Sequence, residues 1–371
     1  MIPLNQNLTP LRRSPIRVYT ALAQSIPDCV NLTIGEPDFD TPEPIKQAAW
    51  AALEQNRTHY APNQGDRELR DAIARKEGVR PEQVLVTIGA TQSLFTALVG
   101  ILNPGEEVIV PTPGFGLYES ILTVAGARMI PLDISQTDFQ ISAEALNALI
   151  TPKTKAIILN SPNNPTGVIL NRASLDAVKQ AVLGKNIFVI CDNVYQGLTY
   201  ADCPDLCRDQ DLQEQRILCQ SFSKPWAMTG WRIGYLICPE YVMDRLLLLS
   251  AATVTAVPTF VQKAALAALN TPTDAMEATY RRRRDFVCRR LKEMGLTFPK
   301  PEGAFYVFAD IRRFGLTSDA FCTRMIREAK VAAVPGSCFG TEGFIRISYC
   351  YSDPELEEGL NRLEKFITGL M

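Results

Sequence analysis

From about residue 42 the chain alternates short β-branched apolar runs with segments of helical period, and this alternation limits the possible folds more than any other property of the sequence. The runs VLVT (84–87), EVIVP (107–111), RMIPLD (128–133), KAIILN (155–160), IFVICD (187–192), RILCQS (216–221) and RIGYLIC (232–238) predict strands. Between most of them, ATQSLFTALVGIL, SAEALNALI and RASLDAVKQAVL repeat apolar residues at helical spacing. Strands that are apolar on both faces need cover on both. The pattern therefore predicts an α/β fold with a mostly parallel seven-stranded sheet between helices.

After Pro258 the texture shifts to long helices, then to shorter strands in AFYVFAD and FIRISYC, and to a closing helix from about Asp353. This predicts a smaller α+β unit. The expected division is a large domain over 41–275 and a small domain made of 1–40 with 276–371. The first 40 residues are rich in Pro and turn signals and are expected to form no helix of their own. No repeat at a solenoid period is visible.

With 46% hydrophobic and 21% charged residues, the 371-residue chain can bury a large site. Its net charge of -2 gives no overall positive field, so nucleic acid and anionic membranes are not expected partners. The one basic run, Arg281 to Arg284, lies in a helical pattern and reads as a solvated face. Ten cysteines, scattered through apolar segments without a CxxC pair, read as reduced packing residues of a cytoplasmic chain. The single histidine, His59, supports neither a histidine-rich metal site nor a Ser/His/Asp triad, and no metal is expected. The N-terminal segment lacks the apolar core of a signal peptide, and the stretch 246–257 is too short to span a membrane.

In open α/β sheets, ligands bind beyond the carboxyl ends of the strands. There VLVT is followed by IGATQS, KAIILN by SPNNPTG, IFVICD by NVY and RILCQS by FSK. The last of these opens the segment SFSKPWAMTGWRIG, in which Ser221 and Ser223 flank Lys224. Ser221 to Lys224 fits the SxxK nucleophile motif of penicillin-recognising enzymes, and CDN at 191–193 echoes their SDN element. No KTG follows, however, and the two elements come in the wrong order. GFG at 114–116 lacks the third glycine of a dinucleotide site. A turn merely packed by Trp226, Trp231 and Arg232 is the alternative without chemistry.

Taken together and in order, YAPNQGDRELR, SPNNPTG, CDNVY, SFSKPWAMTGWRIG and FIRIS resemble the class I/II aminotransferases, fold type I enzymes that use pyridoxal 5'-phosphate. The resemblance covers essentially the whole chain. It implies that Lys224 holds the cofactor aldehyde as an imine and shuttles the substrate proton. Asp192 would pair with the protonated ring nitrogen, Tyr195 and Asn164 with the phenolic oxygen, and Phe115 would stack on the ring. Arg232, Ser221, Ser223 and the turn Gly89–Ala90–Thr91 would hold the phosphate. Arg346, with Asn164 and the backbone at Gly35, would bind the substrate. Tyr60 would reach a phosphate in a partner subunit, which makes the expected assembly a homodimer.

The implied reaction moves an amino group between an L-amino acid and a 2-oxo acid by a ping-pong sequence. A C–S β-elimination lyase on the same fold is the alternative reading. Asn193 stands where the family commonly has Glu after its Asp, Phe115 where others have Tyr or Trp, and Thr91 where one aspartate-using branch has Lys. The substrate side chain stays open among aromatic, aspartate-like and acetylated diaminopimelate types.

Overall fold

The computed structural model describes residues 2 and 5–370. Its frame is a seven-stranded sheet in the order β2-β8-β7-β6-β5-β3-β4. A preceding segment carries helix α1 (Pro15–Gln24), strand β1 (Val30–Asn31), and helices α2 (Glu43–Glu54) and α3 (Arg67–Glu77). The sheet itself comprises β2 (Val84–Thr87), β3 (Glu107–Thr112), β4 (Arg128–Asp133), β5 (Thr154–Asn160), β6 (Phe188–Asp192), β7 (Arg216–Ser221) and β8 (Gly234–Ile237). Helices α4 (Gly89–Ile101), α5 (Leu117–Ala125), α6 (Ala143–Leu149) and α7 (Arg172–Val182) make the crossovers, and α8 (Glu240–Thr253) and α9 (Thr259–Ala268) follow the last strand.

Alternate residues of each strand enter two cores. Leu85, Val108, Ile158, Ile190 and Ile217 pack against α4, α5 and α8, while Val86, Ile109, Ile157, Val189 and Leu218 pack against α2, α3, α6, α7 and α9. Strand β8 is the reversed one, antiparallel to both β7 and β2. The cause is its connection. Residues 222–233 hold only a 3-10 turn at Thr229–Trp231, a short connection suited to an antiparallel return, whereas the parallel step from β6 to β7 takes the longer segment 193–215. The lysine segment singled out in the sequence is that connection.

A second assembly is built from α10 (Asp274–Glu293), β9 (Tyr306–Asp310), α11 (Ser318–Ala329), β10 (Val331–Ala332), β11 (Val334–Pro335), β12 (Phe344–Ser348) and α12 (Asp353–Thr368). Strands β11, β12 and β9 form an antiparallel sheet, and β1 pairs in parallel with β10. Its core takes Tyr19, Ala23 and Leu32 from the N-terminal segment together with Tyr280, Phe305, Phe321 and Leu360.

Two sequence expectations are corrected. The first 40 residues do contain a helix, α1. Pro15 occupies its first turn, where the missing N–H has no intrahelical partner to lose, and Tyr19, Thr20 and Ala23 supply a buried stripe. The basic run of α10 is only half solvated. Arg281 and Arg282 are exposed, whereas Arg283 and Arg284 are buried. Arg283 pairs with Asp38 at 2.7 Å and Asp353 at 2.9 Å, and Arg284 donates to the Pro301 carbonyl. Burial of these charges is tolerable because each has an acceptor.

Candidate active site

The carboxyl ends of β5, β6 and β7 bring Asn160, Asp192 and Ser221 to one edge of the sheet. Above them lies a cleft of about 760 Å³. Its lining includes Gly35, Ala90, Thr91, Phe115, Asn164, Asp192, Tyr195, Ser221, Ser223, Lys224, Arg232 and Arg346, twelve of the fourteen residues expected from the sequence. Gly89 adjoins it beneath Arg232. Tyr60 is 90% exposed and lies outside it. A more open groove of about 890 Å³ runs along α3, α7 and the loop 196–209, and it contains none of these residues.

Lys224 is half-buried, and its Nζ donates to the Gly35 carbonyl at 2.6 Å. Burial draws its pKa from 10.5 down to about 8; Cys350 and Glu36 oppose the fall, and Arg232 and Arg346 assist it. Asp192, 3% exposed, accepts from the Tyr118 hydroxyl at Oδ2, at 2.6 Å. Its Oδ1 has no partner. Burial lifts this carboxyl from 3.8 to about 6 against the lowering effect of Tyr118 and the Val194 amide. Each group is thereby moved toward its uncharged form, a cost that an opposite charge in the cleft would remove.

One end of the cleft is shaped for an anion. Helix α4 starts at Gly89 with no side chain capping its amides, so its first N–H groups and positive dipole end are free. Gly89 has φ +72°, and a Cβ there would stand 2.8 Å from Arg232 Nη2. The guanidinium thus lies directly over the helix start. Arg232 itself adopts φ 53° as the chain leaves the 3-10 turn, and its Nη1 donates to the Thr229 carbonyl at 2.8 Å. The Ser221 hydroxyl accepts from the Ser223 amide at 3.0 Å.

The opposite end holds Arg346, 2% exposed in the middle of β12. Its guanidinium lies between the rings of Tyr306 and Phe339, 4.4 and 4.9 Å from their centroids. It donates to Asn164 Oδ1 at 2.8 Å and to the Thr33 carbonyl, and its Nε has no partner. Among the described residues, no carboxylate forms an ion pair with it. A buried guanidinium without a counter-charge is a receptor for a carboxylate.

The model for aminotransferase class I and II matches residues 27–363. An aromatic-amino-acid aminotransferase 2 from Thermococcus litoralis is 39% identical, the match covering 98% of each chain. An aspartate aminotransferase from Pyrococcus abyssi is 38% identical over the same shares. The solved aspartate aminotransferase of Thermotoga maritima superposes with a TM-score of 0.95 at 37% identity, covering 98% of this chain and all of that one. The chain belongs to the class I and II aminotransferases. Its reaction is accordingly amino-group transfer between an amino acid and a 2-oxo acid, not the elimination kept open by the sequence.

Several residues in or beneath the cleft of this aminotransferase carried no signal in the sequence. Tyr118, one helical turn after Phe115, reaches Asp192 across 74 positions of chain. Tyr306 shares a 2.8 Å hydrogen bond with the Tyr195 hydroxyl, and its own hydroxyl would be 1.7 Å from a Cβ at Gly35. That close approach is why position 35 holds glycine. Helix α1, absent from the sequence expectation, presents Ile16, Arg17, Thr20 and Gln24 to the cleft. Glu36 accepts from the Thr229 hydroxyl and tethers the Gly35 segment to the lysine loop.

Proposed function

We propose that this aminotransferase binds pyridoxal 5'-phosphate in the cleft and works as a homodimer. The residues present fit that group. The observation that carries the reading is the unpaired Oδ1 of buried Asp192, a partner for a cationic ring nitrogen, in the same cleft as a lysine whose amine burial favours in its neutral form. The uncapped start of α4, Arg232, Ser221, Ser223 and the backbone at Gly89, Ala90 and Thr91 would hold the phosphate. Phe115 would cover the ring, and Tyr195 and Asn164 would hold its phenolic oxygen.

When bound, the cofactor supplies an electron sink that makes the α-proton of an amino acid acidic. This chain's own groups do the rest. Arg346 grips the substrate carboxylate as a planar fork, while the Gly35 segment closes over it. Lys224 carries the proton at Nζ; with a pKa of about 8, about one amine in ten is neutral at pH 7, against roughly one in 2500 for a free lysine. Asp192 stays ionised beside the ring, and the cycle alternates between an amino acid and a 2-oxo acid in ping-pong fashion.

Tyr60, exposed on a single subunit, would enter the site of the partner subunit. All ten cysteines are free, which suits a reducing cytoplasm; among the described residues no helix is long and apolar enough to cross a membrane. Residues 41–275 form the proposed large domain and 1–40 with 276–371 the small one, supported by the β1–β10 pairing, which ties the N-terminal segment to the second assembly. Borohydride reduction of the protein loaded with pyridoxal phosphate, followed by peptide mapping, should place the label on Lys224. Label on another lysine, or no uptake of the cofactor, would refute the assignment.

A further inference from the structure

We infer that Tyr118 is a positioning residue that keeps Asp192 ionised and fixes which of its oxygens is offered to the cleft; this rests on the proposed pairing of Asp192 with a cofactor ring nitrogen. The phenol and the carboxylate are both almost fully enclosed, at 2% and 3% exposure, with 2.6 Å between Tyr118 Oη and Asp192 Oδ2. Water is therefore a poor substitute for either. Burial and the adjoining carboxylate push the Tyr118 phenol far above its ordinary range, so its proton stays on oxygen and the bond runs from phenol to carboxylate.

The geometry divides the two carboxylate oxygens. Oδ2 is taken by Tyr118, Oδ1 has no partner, and the residue lines the cleft. The other groups facing Asp192 cannot replace the phenol. Tyr195, on the loop after β6, has its hydroxyl hydrogen-bonded to that of Tyr306. Cys219 on β7 is a buried thiol with its pKa pushed up. Asn160 on β5 donates to the Asp192 backbone carbonyl and not to its side chain. Apart from the Val194 amide, Tyr118 is the group that holds the carboxyl down against burial.

The position is also economical in sequence. Phe115 and Tyr118 stand three residues apart where α5 begins, with the Tyr118 amide bonded to the Phe115 carbonyl at 3.2 Å and the rings edge to face at 5.9 Å. One helix start thus supplies both the proposed ring cover and the support for the carboxylate opposite. A shift of this turn would move both together.

Tyr118→Phe keeps the ring and removes the donor, so it tests the bond with little change in packing. The probe is pyridoxal phosphate labelled with nitrogen-15 in its ring, bound to the wild type, to Tyr118→Phe and to Asp192→Asn. In the wild type the ring-nitrogen signal should stay at its protonated position from pH 6 upward. In Tyr118→Phe the more basic carboxyl should take the proton, moving the signal toward free pyridine. The cofactor dissociation constant should rise and kcat fall roughly ten- to hundredfold, as expected for loss of a hydrogen bond to a charged group, with KM for amino acids little changed.

A folded Tyr118→Phe with wild-type nitrogen signal and kcat overturns the proposal and leaves Tyr118 a packing residue. Should the variant fold poorly, a ring-fluorinated tyrosine at 118, a stronger donor, should strengthen cofactor binding; no change would overturn the proposal in the same way. An unmoved signal in Asp192→Asn would instead sink the cofactor pairing itself, so the two failures are distinguishable.

Discussion

Replacing Arg346 by lysine or by alanine should separate substrate capture from cofactor retention. The guanidinium is held between Tyr306 and Phe339 with arms on Asn164 and Thr33 and its Nε unpaired, so the scaffold fixes its plane and leaves donor capacity for a carboxylate. A charge-assisted hydrogen bond contributes about 1.5–3 kcal/mol. Lysine keeps the charge and loses the fork. Arg346→Lys should therefore lower kcat/KM for amino acids about ten- to a hundredfold, and Arg346→Ala roughly a thousandfold, mostly through KM.

The alanine variant also leaves Asn164 Oδ1 and the Thr33 carbonyl without their donor, for a stability loss of about 2–4 kcal/mol in urea titrations. The decisive assay compares an amino acid with the corresponding amine that lacks the carboxylate. Selectivity between the two should collapse in both variants while the dissociation constant for pyridoxal phosphate changes little. If cofactor release rises in step with KM, or selectivity survives, Arg346 is a structural cation and the substrate-binding role is wrong.

Gly89→Ala places a Cβ 2.8 Å from Arg232 Nη2 on a backbone of φ +72°. A left-handed non-glycine residue costs about 1–2 kcal/mol, so the melting temperature should fall slightly and phosphate-ester binding, measured by fluorescence, by more than tenfold; unaltered binding would remove the α4 start from the site. Lys224→Met tests the burial of the amine in protein stripped of cofactor. The folded pKa is depressed from 10.5 to about 8, so below pH 8 the folded state carries the full desolvation cost, and the wild type regains stability as pH rises from 8 to 10.5. The variant should be more stable at pH 7 by at most on the order of 3 kcal/mol, with the advantage shrinking across that window; a pH-independent difference in thermal unfolding would contradict it.

Much of this arrangement could be read from the sequence because parallel strands announce themselves by double-sided apolar runs, and residues that line the cleft follow them directly. Asp192, Ser221 and Asn164 lie at or just beyond strand ends, and Lys224 lies in the connection after β7. What the sequence hid was partnership. Tyr118 and Asp192 are 74 positions apart, Tyr195 and Tyr306 are 111 apart, and Arg346 and Thr33 are 313 apart, so no local pattern couples them. Helix α1 was hidden differently, because its proline resembles a breaker unless its place in the first turn is known. The half-burial of the α10 arginines follows from Asp38 and Asp353, acids that no spacing rule assigns to them.

The parallel pair formed by Val30 with Val331 and Asn31 with Ala332 has a temporal meaning. In a chain made from its amino end, residues 30–31 find their neighbours only once residues 331–332 have been added, and Thr33 finds its guanidinium only after Arg346. The Arg346 end of the cleft is thus completed only after the sheet that carries the Lys224 loop has emerged. Removing the residues up to about 30, α1 among them, should spare that sheet and abolish turnover.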